Sequence, residues 1–518
     1  MQNNSEYIAA RTMGGVLSES AAEYTLPDYN GDIKKILFTD ARVIPSASFP
    51  SGDSIEYSGV VAYSVIYLDS EDKVSHAEFT SDFEGSVKLA TEDLSDFDID
   101  TAVQSYVARP VGPRKLSARC TLASTLYTAR NRELEASPMP EGCEYEARMG
   151  KAKIRTMCID RSGEREYAEE LAHLDGAMED EVEVLYTVCN VKADTVSLSD
   201  DGAEYKGELE ILALVKQGDS VPFTLEKKVP FCERYFDTDR PYLNMSDTHA
   251  EGCLDISSVK CSLNPDDDGV GIVVSVITEG KMRVMGNSEI DVMLDAYLTE
   301  CESDVRSSTL EYTELLSPSV ISFKAGDTLT RASLGLDGTR NILLPTAEVK
   351  INDLSLGTDA KIVGEIRFSG IACEINELGD PVYSQIKISV PFKENVNNSS
   401  QLSDKTRFEY TAWVKDACIE LDNESVRPTA EIGVTVMPLL DKSMRYVSEL
   451  TPVGERLERD ECVVTVYYPE SDETLFDISK KYKIPTLRVA SVNAITESVF
   501  ARSDEPISSL GFDKIIIR

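Results

Sequence analysis

Apolar and polar residues alternate in three long segments of this chain of 518 residues, and the three segments share one layout. Each starts with an apolar stretch, which is followed by a glycine 15 or 16 residues after the stretch ends. Beyond each glycine, the second, fourth and sixth residues are mostly apolar, a period typical of a β-strand with one face on a core. The stretches are Ile36–Val43, Val184–Val191 and Ile342–Val349, and the corresponding glycines are Gly59, Gly207 and Gly364.

The alternation predicts which side chains of these strands are buried. Leu209 and Phe368 fall on the core face, whereas Glu208 and Arg367 fall on the solvent face. The glycine that opens each strand is typical of a β-bulge or of a close approach by another group. Each copy continues towards a phenylalanine, which ends a Val-Pro-Phe sequence in the second and third copies: Phe83, Phe231 and Phe392.

These patterns predict a mainly β protein with three tandem β-rich repeats, each sandwich-like or barrel-like, and a small α+β module after them. Helical periodicity is weak within the repeats, and only Glu164–Glu170 suggests a short helical turn. Polar breaks divide the chain into residues 1–140, 141–315, 316–457 and 458–518.

We call residues 458–518 the C-terminal module. Leu475, Ile478 and Tyr482 recur there at helical spacing, and we expect them to pack against two strands of the module. The pattern predicts the order strand, helix, helix, strand, over the segments Val463–Tyr468, Glu473–Tyr482, Ile484–Asn493 and Lys514–Arg518.

The chain is strongly acidic, with 91 acidic and 52 basic residues and a net charge of -39. This charge argues against binding to nucleic acid, which needs clustered Lys and Arg, and against docking on anionic lipid. It favours solubility or the recognition of a basic partner surface. From Val463 onward there are eight acids and seven bases, so this part is almost neutral and is favoured as a contact surface.

The sequence predicts a cytoplasmic protein. Its 11 cysteines are scattered and form no Cys-x-x-Cys pair, which argues against a disulfide framework and for a reducing compartment. The first residues, Met1–Glu6, have neither the basic start nor the apolar segment of a secretory signal. No apolar run reaches the ~18 residues that a membrane helix needs.

Residues suited to catalysis or metal binding are few. The three histidines, His76, His173 and His249, lack metal-ligand spacing, and the sequence has no phosphate-binding glycine loop and no nucleophile elbow. Asp266–Gly269 is typical of a hairpin turn rather than of a calcium loop. We expect the single tryptophan, Trp413, in a core, with an exposed partner contact as the alternative. The sequence therefore predicts no enzyme activity, no cofactor and no metal site.

Parts of the chain resemble known families. Leu26–Leu37, with the sequence LPDYNGDIKKIL, resembles the opening of a SPOCS domain, and Pro110–Arg119 resembles a later SPOCS motif. The C-terminal module resembles a LysM domain, although Asp472-Glu473 stands where glycan-binding LysM domains commonly have Gly-Asp. Repeats of the SPOCS type followed by a LysM domain resemble the SipL-type spore morphogenesis proteins, and the resemblance covers about Gly15 to Arg518.

The resemblance implies a non-enzymatic scaffold at the forespore surface, in the mother-cell cytosol. Such proteins dock onto the ATPase of the coat's basement layer, stage IV sporulation protein A, and the LysM module is implicated in that contact. Two alternatives stay open: a peptidoglycan- or glycan-binding protein of the wall or cortex, and an enzyme that a LysM domain targets to wall polymer. The partner-binding candidates are residues of the first module loop and a basic cluster: Ser471, Asp472, Glu473, Thr474, Lys480, Lys481, Lys483 and Arg488.

Overall fold

The fold is mainly β, as the sequence predicts, with 75% of the described residues in strands and 7% in helices. Cys462 and the segment that joins the third repeat to the C-terminal module fall outside the described residues. No helix in the described part of the chain is both long and apolar enough to cross a membrane. The computed structural model describes residues 6–89, 93–135, 140, 142–218, 220–355, 361–377, 379–395, 406–457, 463–500 and 505–518.

Three repeats form the body of the protein, and all their strand pairs are antiparallel. The first repeat contains β1 (Glu6–Thr25), β2 (Ile33–Ser51), β3 (Ser54–Asp69), β4 (Val74–Lys88), β5 (Leu94–Gly112) and β6 (Lys115–Glu133). The second contains β7 (Tyr145–Arg161), β8 (Arg165–Asp175), β9 (Val182–Ser199), β10 (Gly202–Gln217), β11 (Phe223–Tyr235), β12 (Ser246–Pro265) and β13 (Gly269–Leu298).

The third repeat follows the same plan. It contains β14 (Glu302–Leu315), β15 (Ser319–Gly326), β16 (Leu329–Thr330), the short helix α1 (Arg331–Leu334), β17 (Thr339–Ser355), β18 (Lys361–Ile375), β19 (Pro381–Asn395), β20 (Thr406–Leu421) and β21 (Ser425–Val453). The C-terminal module contains β22 (Thr465–Tyr467), α2 (Leu475–Tyr482), α3 (Thr486–Val492), α4 (Glu497–Phe500) and β23 (Ile515–Ile517).

Each repeat is a sandwich of two sheets. One is a three-stranded meander, in the orders β2-β3-β4, β9-β10-β11 and β17-β18-β19, and the other is built from the strands before and after the meander. In the second repeat, Leu209 and Ile211 of the meander share a core with Val274 and Val276 of the other sheet. The predicted strand faces are confirmed there, because Leu209 is buried and Glu208 is exposed.

The three repeat glycines lie within strands rather than at strand starts, and each is covered by a phenylalanine of the next strand. Antiparallel pairing sets Gly59 opposite Phe83, Gly207 opposite Phe231 and Gly364 opposite Phe392. A Cβ atom built on any of the three glycines would lie less than 3.0 Å from that ring and from a backbone carbonyl oxygen of the preceding strand. The close approach that the sequence predicted is therefore the contact between the phenylalanine ring of one strand and the glycine backbone of the neighbouring strand.

A central cluster joins the three meander sheets. It combines apolar residues of all three repeats, among them Leu37, Phe38, Leu185, Tyr186, Leu343 and Leu344. In each repeat two consecutive residues of this cluster are apolar and buried, which breaks the two-residue period of a strand. Each pair lies at a register shift of the strand pairing. The shifts fall before Phe38, between Val184 and Tyr186, and after Leu343. A bulge lets two consecutive side chains turn towards the same core.

Polar contacts hold the repeats together as well. The guanidinium of Arg155, on β7, donates to Thr12 Oγ1 of the first repeat at 2.9 Å and to Glu409 Oε2 of the third at 2.6 Å. Arg283, on β13, pairs with Asp98 at 2.8 Å and Asp100 at 2.9 Å across the boundary between the first and second repeats. Such buried pairs disfavour separation of the repeats, because separation would leave a charge without its partner.

Two segments with many polar residues form strands. Strand β14 lies before the predicted boundary at residue 315 and pairs with β21 of the third repeat. Glu164–Glu170 contributes to β8, which pairs with β13, and forms no helical turn. Polar residues are frequent in both segments because these strands present one face to solvent, which weakens the sequence signal for a strand.

Candidate partner-binding module

The core of the C-terminal module fixes its first helix. Thr474 caps α2, since its side chain accepts a hydrogen bond from the backbone N–H of Asp477 at 3.2 Å, and the Asp477 carboxylate accepts from the Thr474 N–H at 3.1 Å. Leu475 and Ile478 are buried in the module core, and Tyr482 packs against it. The helical face predicted from the sequence is therefore confirmed.

A second face of α2 packs on the second repeat. The ring of Phe476 lies edge-on to the ring of Tyr297, with centroids 5.3 Å apart, and the Arg148 guanidinium lies 4.5 Å from the Phe476 centroid. The Tyr297 hydroxyl donates to the carbonyl oxygen of Ile484 at 2.8 Å. The module is thus held by a buried aromatic contact at the ends of β7 and β13.

Ion pairs surround this contact. Arg148 lies 2.6 Å from the Asp477 carboxylate, and Lys480 lies 2.6 Å from Asp295. Lys483 lies 3.2 Å from Glu302, at the start of the third repeat. Burial raises the pKa of Asp477, but hydrogen bonds from Thr474 and Arg148 outweigh this effect and leave the pKa below its ordinary value. The carboxylate is therefore charged at neutral pH.

The candidate residues thus divide into two groups. Thr474, Lys480 and Lys483 contact residues of the second and third repeats. They therefore do not form an open groove with the other candidate residues. Glu473 accepts from the Tyr467 hydroxyl at 2.7 Å and has a structural role in the first loop. The other four are exposed: Ser471, Asp472, Lys481 and Arg488.

An apolar surface of the module escaped the sequence analysis. Val464, Val466 and Tyr468 alternate along the first strand and its ends, and they are 55%, 50% and 69% exposed. Strand β22 pairs with β23, and these two strands form the module's sheet within the described residues. The sequence shows the period of two, but this period does not show which face of the strand the helices of the module cover.

The two SPOCS-like segments of the first repeat meet in space. The backbone N–H of Leu26 donates to the carbonyl of Arg114 at 2.8 Å, and the N–H of Ile33 donates to the carbonyl of Pro113 at 2.6 Å. The Arg114 guanidinium donates to the Pro27 carbonyl at 2.5 Å. The loop between them exposes Tyr29, which is 88% accessible. The two segments therefore form one structural feature of the repeat.

No group of three or more His, Cys, Asp or Glu side chains suited to a metal ion occurs among the residues that the structure describes. The Asp266–Gly269 segment forms the predicted hairpin turn, with the Asp266 N–H donating to the Gly269 carbonyl at 2.9 Å. Comparison with known proteins does not extend these observations, since no family model, curated protein or solved structure matches the chain.

Proposed function

We propose that this chain is a non-enzymatic scaffold of the SipL type, acting in spore coat assembly in the mother-cell cytosol, at the forespore surface. Its C-terminal module would bind a protein partner, the coat ATPase named stage IV sporulation protein A. The basis for this assignment is the resemblance of the repeats to SPOCS domains and of the module to a LysM domain.

One observation supports a protein partner most directly. Val464, Val466 and Tyr468 present an apolar surface to solvent on a two-stranded sheet. Exposed apolar patches rimmed by polar residues are typical of protein interfaces, and tyrosine is enriched among the side chains that contribute most to binding. The almost neutral charge from Val463 onward reduces repulsion from an acidic partner.

The contacts of α2 change which residues are expected to bind. Lys480 and Lys483 already pair with Asp295 and Glu302, so reversing their charges would weaken module docking first. Lys481 and Arg488 remain exposed and would lie at the rim of an interface. Rim charges mainly affect association rate and its dependence on salt.

Binding of the full-length chain to the purified coat ATPase tests the proposal. We expect Val466→Glu and Tyr468→Ala each to weaken binding by about tenfold or more, because both act on the apolar surface. Val320→Glu is the matched control, since Val320 is a 60% exposed valine on β15 of the third repeat. It should leave the affinity unchanged.

The same preparations should be titrated with peptidoglycan fragments and chitin oligomers. We expect weak or no binding to either, because Asp472 and Glu473 place carboxylates in the loop where LysM domains commonly approach a sugar. Tight sugar binding without affinity for the ATPase would contradict the proposal and favour the glycan-binding alternative. Equal effects of Val466→Glu and Val320→Glu would show that the partner does not cover this surface.

A further inference from the structure

Two cysteines that are distant in sequence meet beside the contacts that hold the C-terminal module. Cys143 lies just before β7, and Cys301 lies just after β13. These two strands are antiparallel neighbours, and their pairing ends with Tyr145 opposite Leu298. The fold therefore brings the two cysteines to the same end of one sheet.

Backbone contact continues past the paired strands to the cysteines. The N–H of Thr299 donates to the carbonyl oxygen of Glu144 at 3.0 Å, and the Thr299 hydroxyl donates to the same oxygen at 3.3 Å. Glu144 directly follows Cys143, and Thr299 shortly precedes Cys301. Antiparallel pairing sets opposite Cα atoms about 4.5–5.5 Å apart, which lies within the roughly 4.4–6.8 Å that a disulfide spans. The two segments thus run at a spacing that a disulfide can bridge.

The two cysteine side chains share one small core. Cys301 is buried there with Leu298 and Val447, and Cys143 packs against the same cluster. The side chains of Cys143 and Cys301 are also hydrogen-bonded to each other. Both are free thiols in the structure. Two thiols in direct contact can form a disulfide without separation of the strands that carry them.

Arg456 lies beside both thiols and favours their reactive form. Its Nε donates to Glu300 Oε2 at 2.9 Å. The hydrogen bond and charge of Glu300 raise the pKa of Arg456, burial opposes this rise, and Cys143 and Cys301 add to it. Burial raises the pKa of the Cys301 thiol, and Cys143 raises it further, whereas the charge of Arg456 lowers it. A neighbouring cation favours the thiolate, which is the nucleophilic form of cysteine.

The cysteine pair adjoins the attachment of the C-terminal module. Cys301 directly precedes Glu302, whose carboxylate pairs with Lys483 of the module at 3.2 Å. The N–H of Leu457 donates to the carbonyl oxygen of Glu300 at 2.8 Å, just before the chain enters the module. A bond between the two sulfur atoms would therefore restrain the segment that makes both contacts.

We propose that Cys143 and Cys301 form a reversible thiol–disulfide pair, which a small disulfide of the glutathione type oxidises. Cys143 is half-buried and Cys301 is buried, so the oxidant reaches Cys143 first. The Cys143 thiolate attacks one sulfur of the small disulfide, which forms a mixed disulfide and releases one small thiolate. The Cys301 thiolate then attacks the Cys143 sulfur and releases the second. The chain loses two electrons and two protons, and the small disulfide gains them as two thiols.

Such a pair is compatible with the reducing compartment that the scattered cysteines predict. Disulfides of proteins in reducing compartments are usually transient and respond to redox conditions. The pair would therefore be a modification site that ties β7 to β13 when small disulfides accumulate. This inference is independent of the partner proposed for the C-terminal module.

Peptide mapping of the full-length chain tests the pair. The chain is incubated with oxidised glutathione, remaining thiols are alkylated, and the digest is analysed by mass spectrometry. We expect a peptide that joins Cys143 to Cys301, and excess reduced glutathione should remove it. The matched control is Cys418→Ser, which removes an exposed cysteine of β20 and should leave the joined peptide in place.

Single variants test the order of the two steps. Cys301→Ser should accumulate glutathione on Cys143, because the second thiol is missing. Cys143→Ser should leave Cys301 unmodified, because burial hides this thiol from the oxidant. Circular dichroism of the reduced variants checks that they fold, and the map of the unmodified chain tests the pair even where a variant does not.

Hydrogen exchange measures the effect on the module attachment. In the oxidised chain, the backbone amides of Thr299 and Leu457 should exchange more slowly than in the reduced chain, because the disulfide opposes local opening. The same oxidant should leave their exchange unchanged in Cys143→Ser.

Three results would overturn the proposal or part of it. Peptides that join Cys143 or Cys301 to other cysteines would refute the pair, and so would two thiols that stay reduced while Cys418 takes up glutathione. A joined peptide that excess reduced glutathione does not open would refute the reversible exchange. Equal amide exchange in the oxidised and reduced chains would refute the effect on the module attachment.

Discussion

Replacing Gly207 by alanine tests whether the contact between glycine and phenylalanine holds the meander sheets. The added Cβ would lie less than 3.0 Å from the carbonyl oxygen of Lys192 and 2.9 Å from the ring of Phe231. Lys192 belongs to β9 and Phe231 to β11, so the methyl group would meet neighbours on both sides of β10. The ring can shift, whereas the carbonyl can move only by disturbing the strand pairing.

The expected cost follows from two opposing effects. Adding a methyl group to a packed interior destabilises by ~1–3 kcal/mol. Alanine also restricts the unfolded chain relative to glycine, which stabilises by about 0.4–1 kcal/mol where the backbone permits it. Because a backbone atom blocks the new methyl group, the first effect dominates. We expect a net loss of about 1–2 kcal/mol on this balance.

Urea unfolding followed by circular dichroism measures this loss. Gly163→Ala is the matched control, because a Cβ there would meet no atom within 4 Å and the backbone needs no positive φ. It should change stability by no more than about 0.5 kcal/mol. Gly59→Ala and Gly364→Ala should behave like Gly207→Ala, since each glycine faces a phenylalanine in the same way. Equal unfolding midpoints for Gly207→Ala and the control would refute the packing described here.

Two further predictions concern burial and charge. Leu209→Asp should cost roughly 3 kcal/mol or more in the same unfolding assay because it buries an unpaired charge, whereas Glu208→Ser should cost little, and equal losses would contradict the strand register. Burial raises the pKa of Asp100, but the charges of Arg283 and Lys281 outweigh it and leave the pKa lowered. Its contribution to stability is therefore complete above its unfolded pKa of about 4 and is lost as the pH falls through the folded value. Asp100→Asn should reduce this acid sensitivity in thermal melts, and an unchanged pH profile would contradict the assignment.

Local patterns predicted the strands well because each repeat strand has one face on a sandwich core. The period of two identified Leu209 as buried, and it located the glycine and the phenylalanine of each copy. It did not show that Gly207 and Phe231 contact each other, since strand register depends on the turn between β10 and β11. Nor did it explain the adjacent apolar pair Leu185-Tyr186, which requires a bulge and a core shared by three repeats.

The candidate site was harder to predict because its contacts are distant in sequence. The helical period identified Leu475 and Ile478, which pack within their own module. Phe476 lies on another face of α2, and its partner Tyr297 lies in the second repeat. The basic cluster of the C-terminal module therefore suggested an open binding surface. In the structure, Lys480 of this cluster pairs with the Asp295 carboxylate of the second repeat. Single-sequence patterns describe one helix face at a time and do not show which distant surface meets it.

The distribution of arginines connects these observations. Arg155 joins all three repeats, Arg283 joins the first two, and Arg148 joins the C-terminal module to the second. In each case a carboxylate from another part of the chain pairs with the guanidinium. These arginines therefore neutralise acidic side chains at the places where the repeats and the C-terminal module meet.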